Sequence, residues 1–211
     1  NGKLFLEKKR VDALQKAEEE NYEIAILDDG LQDKSINSDI NVVCFNNINW
    51  IGNGMTIPSG PLRETINNLK NYNHIFLNGN LENIDNIQKK ILSINPRSNI
   101  YIGKYELTNI NEFNKQDNYL VFSGIGNHAS FILMLKNEGL KIINHLEFPD
   151  HYQYTVSDIN KIIKKAKNLN CKILTTEKDY LRLENLNVNE IKIAKSSIKI
   201  LNEEKFLRAI L

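Results

Sequence analysis

A chain of 211 residues can form one sizeable domain or two smaller α/β lobes. With 41% hydrophobic and 25% charged residues it has the balance of an ordinary globular protein, and a formal net charge of +1 argues against nucleic-acid binding by global electrostatics. The two cysteines, Cys44 and Cys171, stand far apart in apolar runs and read as buried free thiols of a reducing compartment; no CxxC or Cys/His cluster points to zinc. No apolar run reaches the roughly twenty residues of a membrane-spanning helix. No signal peptide is evident, and the opening Asn1-Gly2-Lys3-Leu4 reads as a cut into a longer protein.

In chain order, Val11, Leu14 and Ala17 recur among charges and predict an amphipathic helix over 6–20. The apolar run Ile24-Ala25-Ile26-Leu27 predicts a buried strand over 23–27 that delivers Asp28 and Asp29 to its C-terminal end, where ligands bind in open α/β sheets. A strand over 40–45 follows, then a Gly/Pro-rich loop and a helix starting within or just after Pro61-Leu62-Arg63-Glu64 and marked by Leu62, Ile66 and Leu69. A strand over 74–77 leads to Asn78-Gly79, a helix over 84–93 and an extended stretch over 100–107. A second alternation has strands over 119–122, 140–145 and 172–174 and helices over 129–137 and 157–168. Two short strands, 191–194 and 198–201, precede a last helix over 203–211. The alternation predicts an α/β fold of mostly parallel sheets covered by helices, in two lobes. The lobes are expected over 1–80 and 119–211, with 81–118 as a connector.

Several groups carry chemistry in this pattern. Asp28 and Asp29 repel one another unless a cation or a positive side chain sits between them, and Mg²⁺ takes hard oxygen ligands of this kind. Gln32 is placed to orient a water or a nucleotide group. Arg63 and Glu64 follow Pro58-Ser59-Gly60-Pro61, where Glu64 suits a first helical turn and Arg63 can neutralise a transferring phosphoryl group. Gly124-Ile125-Gly126-Asn127 joins a strand to a helix, so its N–H groups are candidates to receive an anion. Thr176 reads as an N-cap with Asp179 three residues on. Of the four histidines, His74 and His145 at strand ends and His128 at a helix start read as structural; His151, framed by Asp150 and Tyr152-Gln153-Tyr154, reads as a general base. The lysines at 161, 164, 165 and 167 read as a solvated helix face.

DDGLQ (Asp28 to Gln32), GNG (Gly52 to Gly54), PSGPLRE (Pro58 to Glu64), SGIGN (Ser123 to Asn127), FPDHYQY (Phe148 to Tyr154) and LTTEKDYLRL (Leu174 to Leu183) occur in an order and spacing that resembles the tetraacyldisaccharide 4′-kinases, the lipid A kinases of Gram-negative bacteria. The resemblance runs from near Arg10 to the C-terminus. It implies a P-loop NTPase-like first lobe, here incomplete at its N-terminus, with Asp28 and Asp29 as the acidic pair. Its further implications are a metal site of Asp28, Asp29 and Glu64 for Mg²⁺, Gln32 and Arg10 on the ATP side, and Asn53, Gly124 and Asn127 on the substrate side. Arg63, Asp29 and His151 would be catalytic. The implied reaction moves the γ-phosphoryl group of ATP to the 4′-hydroxyl of a lipid disaccharide 1-phosphate at the cytoplasmic face of the inner membrane.

The chain departs from that pattern in places. No G-x-x-x-x-G-K-[ST] occurs in it, and the family carries that loop upstream, together with a membrane-associated helix and the Asp that works with the histidine. The chain alone is therefore expected to be soluble and inactive. Asp33 stands where many members have His, and Phe45-Asn46 lacks the acidic residue often found there. A non-catalytic module that binds a sugar-phosphate lipid or a partner subunit is the competing expectation, and sequence upstream of Asn1 separates the two.

Overall fold

The structure, a computed structural model, describes residues 2–79, 83–183, 186, 188 and 190–211. Helix α1 (Arg10–Glu19) is followed by β1 (Val42–Asn46), β2 (His74–Asn78), α2 (Ile84–Ile94) and β3 (Asn99–Leu107). Next come β4 (Asn118–Ser123), α3 (His128–Asn137), β5 (Lys141–Glu147), α4 (Val156–Asn168), β6 (Lys172–Thr176), α5 (Glu177–Leu181) and β7 (Ile191–Ala194). Strand β8 (Ser196–Leu201) and helix α6 (Glu203–Ile210) end the run. The strands form two four-stranded sheets, ordered β1-β2-β3-β8 and β5-β4-β6-β7. Every pairing is parallel except that of β3 with β8, so the expected α/β class holds.

Strand β4 shows why this sequence builds a parallel sheet. Side chains alternate across a strand. Leu120 and Phe122 join Ile159 and Ile162 of α4 in one core, while Tyr119 and Val121 join Phe131 and Leu135 of α3 in another. A strand buried on both faces reads as an unbroken apolar run. In the first sheet Ile75 and Leu77 pack with Ile87 and Ile91 of α2. The alternate residue Phe76 meets Phe206 of α6, whose ring also lies 4.9 Å from that of Tyr101. Helix α4 starts at a capping box in which Thr155 and Asp158 satisfy each other's backbone N–H groups.

The structure corrects four expectations. Residues 23–27 form no strand: Ile24 and Ile26 are 63% and 93% exposed, and nothing among the described residues pairs with the segment. A strand persists only when its N–H and C=O groups find a ladder, and apolar sequence alone does not supply one. The helix expected to start within or just after Pro61-Leu62-Arg63-Glu64 is present as a 3₁₀ segment over Ile66–Asn71, which follows the bonding of the Leu62 backbone to Met55 and Ile57.

The stretch 81–118 contributes β3 to the first sheet and is more than a connector, although the expected boundary at 80/81 falls outside the described residues. Within 119–211, β8 returns to pair with β3, so the second lobe's own sheet ends at β7. Asn109 fixes this crossing: its amide donates to the Ile193 carbonyl at 2.9 Å and accepts from Lys195 N–H at 2.9 Å. Finally, Cys44 is exposed on β1 and Cys171 is half-buried, both as free thiols.

Loss of the Thr155 cap is expected to destabilise the protein by about 1 kcal/mol in urea denaturation of Thr155→Ala. Lys164→Ala on the exposed face of the same helix should stay within about 0.5 kcal/mol.

Candidate functional site

Two groups of loops carry the expected site residues. In the first, Arg63 Nη1 lies 2.7 Å from Asp29 Oδ2, so PSGPLRE and DDGLQ meet through this ion pair. Both side chains are more than half exposed, and a pair in that setting is worth about 0–1 kcal/mol. Arg10 Nη2 donates to the carbonyls of Asp28 (3.3 Å) and Asp29 (3.1 Å), and its Nη1 lies 3.2 Å from Asp33 Oδ2. Asp29 itself has φ +55°, in the left-handed region that few residues other than glycine adopt. Arg10 thus clasps the backbone of the acidic turn while Arg63 takes one of its carboxylates. Bonds from Ser35, with a further one from Arg10, hold Asp33 below the usual carboxylate range.

Gln32 and Glu64 are also brought together: Gln32 Nε2 donates to Glu64 Oε1 at 3.1 Å. Asn68 Nδ2 donates to Glu64 Oε2 at 2.9 Å. These bonds, that of Asn68 first, favour the ionised carboxylate of Glu64 and lower its pKa. Asn53 closes its own loop, donating to the Ser59 carbonyl at 2.8 Å and accepting from Met55 N–H at 3.0 Å. Gly60 is required there because a Cβ would collide with Asn53 Oδ1 and the Met55 carbonyl. Among the described residues no group of three or more His, Cys, Asp or Glu side chains is placed to hold a metal ion. The expected trio of Asp28, Asp29 and Glu64 is therefore not gathered, since Glu64 is tied to amides and Asp29 to Arg63.

The second group lies at the C-terminal edge of the second sheet. From β4 the chain crosses to β5 on one side, and from β6 to β7 on the other, so β4 and β6 flank the topological switch point where open sheets bind ligands. The crevice is bridged by the protein's own Asp179, which is fully buried. Its Oδ1 accepts from Gly124 N–H (3.0 Å), Tyr154 O–H (3.0 Å) and Arg182 Nη1 (3.1 Å), and its Oδ2 from Thr176 O–H (2.7 Å). Arg182 Nη1 also donates to the Gly124 carbonyl at 2.8 Å. The Gly124 N–H expected to receive an anion is thus spent on Asp179, a correction to that reading. Asn127 is the N-cap of α3, accepting from Ser130 N–H at 3.1 Å.

His151 lies on the exposed turn after β5, its N–H donating to the Gly124 carbonyl at 3.1 Å and its Nδ1 3.3 Å from Arg182 Nη2. The expected cap of α5 is present, Thr176 accepting from Asp179 N–H at 3.1 Å. Sequence reasoning missed Arg182, although its spacing of three from Asp179 in a short helical turn was the available signal. It also missed the line from buried Ser123 through His128 Nδ1 (2.6 Å) to His145, reached from His128 Nε2 at 3.0 Å. Burial, chiefly, pushes the His128 pKa down. The end of β1 is linked to α3 by Asn46, which donates to Ser130 Oγ at 3.1 Å.

A mostly parallel α/β protein with charged loops at the strand ends defines a broad class, and comparison with known proteins narrows it. The family model of tetraacyldisaccharide-1-P 4′-kinase (LpxK) matches residues 2–211. A tetraacyldisaccharide 4′-kinase of Pelagibacter ubique (strain HTCC1062) is 58% identical over all of this chain, which covers 67% of that relative. One of Rickettsia canadensis (strain McKiel) is 34% identical over 89% of the chain and 57% of the relative. Among solved structures, LpxK from Aquifex aeolicus, described as an "apo" form in complex with ATP, shares the fold with a TM-score of 0.57 and 22% identity, over 94% of this chain and 60% of that one. The chain belongs to the tetraacyldisaccharide-1-P 4′-kinase family. It spans between just over half and two thirds of the length of these relatives.

The Glu64 contacts yield a pH-dependent expectation. A carboxyl whose pKa is lowered on folding contributes stability above its unfolded value, and loses it as pH falls through the lowered folded value. A ¹³C titration of the Glu64 carboxyl should have its midpoint below the ordinary 4.5, and Asn68→Ala should move it upward. A midpoint at or above the ordinary value would mean that the amide contacts do not form in solution.

Proposed function

We propose that this chain is the part of a lipid A-pathway kinase that carries the acidic turn and the acceptor-side loops. The reaction is transfer of the γ-phosphoryl group of ATP to the 4′-hydroxyl of a tetraacylated disaccharide 1-phosphate. The observation that carries this reading is the Arg63–Asp29 contact, which joins two separate family motifs at one place. Phosphoryl transfer depends on positioning and on neutralising charge on the moving group. Arg63 supplies a mobile cation, and Arg10 holds the turn that presents Asp28 and Asp29. Gln32 stands on the nucleotide side of the same turn, and Asn53 shapes the loop that carries Arg63.

Mg²⁺ fits Asp28 and Asp29 in its donor chemistry, since it usually takes one or two carboxylates with phosphate and water completing its shell. When bound, the ion neutralises phosphate charge. Asp28 and Asp29 would hold the ion, and the exposed Arg63–Asp29 pair is weak enough for Asp29 to change partners. On the acceptor side, His151 is the base for the sugar hydroxyl, with Gly124 and Asn127 shaping the loop beside it.

The lipid substrate places the working protein at the cytoplasmic face of the inner membrane. Among the described residues no helix is long and apolar enough to cross a membrane.

Kinetics of the complete gene product test the reading. Asp29→Ala is expected to lower kcat by about 10²-fold or more by removing charge stabilisation. His151→Ala should lower it by roughly 10²–10⁴-fold with little change in ATP affinity. Normal turnover by folded Asp29→Ala would remove the acidic-pair assignment, and ligand binding without turnover in the unchanged protein would favour the non-catalytic module.

A further inference from the structure

We propose that Arg182 is a positioning residue for His151, and that it dictates which ring nitrogen carries the proton. The inference stands on hydrogen-bond chemistry. A guanidinium has only donors, so in its 3.3 Å contact with Arg182 Nη2 the Nδ1 of His151 must accept. The neutral ring then carries its hydrogen on Nε2. The far side of the ring agrees: Nε2 lies 3.8 Å from Asp150 Oδ2, where negative charge favours a proton.

The guanidinium of this contact is firmly placed, and the His151 ring, 81% exposed, is anchored through its backbone. Arg182 is held by the Gly124 carbonyl and by the buried Asp179 carboxylate, and its side chain is only 17% exposed. The backbone of His151 sits at φ +59°, fixed by its N–H bonds to the Gly124 carbonyl and to Asp150 Oδ1. The buried carboxylate thus reaches the exposed ring through one guanidinium.

The consequence deepens the proposed function and rests on it. In this arrangement Nε2 offers a hydrogen, suited to holding an oxygen of the acceptor or of the phosphoryl group, and it cannot take a proton. When the sugar oxygen attacks phosphorus and ADP leaves with the electrons of the broken P–O bond, a hydroxyl proton taken by this ring goes to Nδ1, giving imidazolium. Nδ1 is the atom that Arg182 covers. Arg182 therefore has to release the ring for the base step, and it returns a neutral ring to the same tautomer afterwards.

Ring ¹⁵N spectra of histidine-labelled protein in alkaline solution, where the imidazoles are neutral, test this directly. The expected result is a protonated Nε2 and a bare Nδ1 shifted by an accepted hydrogen bond. In Arg182→Met that shift should vanish and the ring should relax toward the tautomer mixture of free imidazole, with the His128 and His145 signals unmoved as a check on the fold. Should Arg182→Met unfold, Arg182→Lys serves: it keeps a cation for Asp179 but cannot span the Gly124 carbonyl and His151 together, so the Nδ1 shift should again be lost. A proton on Nδ1 in the unchanged protein, or His151 signals identical in a folded variant, would overturn the proposal.

If His151→Ala in the complete gene product turns over normally while the spectra behave as expected, the base assignment fails and the Arg182–His151 pairing stands.

Discussion

A carboxylate with no solvent contact imposes more on this structure than any other group. Removing a charge from water costs several kcal/mol even after relaxation, and the cost is offset only when hydrogen bonds and an opposite charge surround it. Asp179 meets that demand with Gly124, Tyr154, Thr176 and Arg182, drawn from the loop after β4, the loop after β5 and the turn after β6. Three strand ends are thereby fixed to one another at the switch point. The same requirement accounts for the phenol of Tyr154, pushed far up by burial and then by the neighbouring carboxylate, so that it stays a donor. Losing one partner of such a buried pair typically costs about 3–5 kcal/mol, which makes this half of the site rigid.

The other half obeys the opposite rule. Arg63, Asp29, Arg10 and Asp33 form ion pairs largely open to solvent, where each pair contributes little and can exchange partners readily. On the proposed reading such looseness suits a turn that would meet a polyphosphate and a divalent cation, because its charges would then regroup. The chain thus sets a loop group tied to a buried carboxylate against an acidic turn held by exposed pairs.

Much of this was legible in the sequence. The strands, long helices and mostly parallel class followed from apolar runs and periodicity, since β4 is buried on both faces and α4 carries its capping box in plain letters. What failed was pairing. Ile198 and Ile200 announce a strand, but nothing local says that it lies antiparallel on β3 and not beside β7. Ile24 to Leu27 announce another, and the ladder that would make it one is not supplied by the described residues. Motif reading found His151 and Asp179 separately, while their connection depends on Arg182 reaching both, a three-dimensional fact with only a spacing of three to hint at it. Gly124 misled in the same way: an N–H at a strand–helix turn is open to an anion only if no side chain has taken it.

The two sheets are joined unequally, and the inequality locates their freedom. On one side the chain crosses between them twice, near 107–109 and 193–196. Thr108 and Asn109 bond the crossings together through the carbonyls of Lys195 and Ile193 and the N–H of Lys195. Leu107 and Phe113 continue the apolar packing there, in one cluster with Phe131 and Leu135 of α3. On the side of the strand ends, the amide of Asn46 bonds Ser130 Oγ, a half-buried bond between neutral groups. Such a bond contributes about 1 kcal/mol net, against several bonds and a shared core at the crossings. The paired crossings and their shared core therefore hold the two sheets together more firmly than the Asn46–Ser130 bond does.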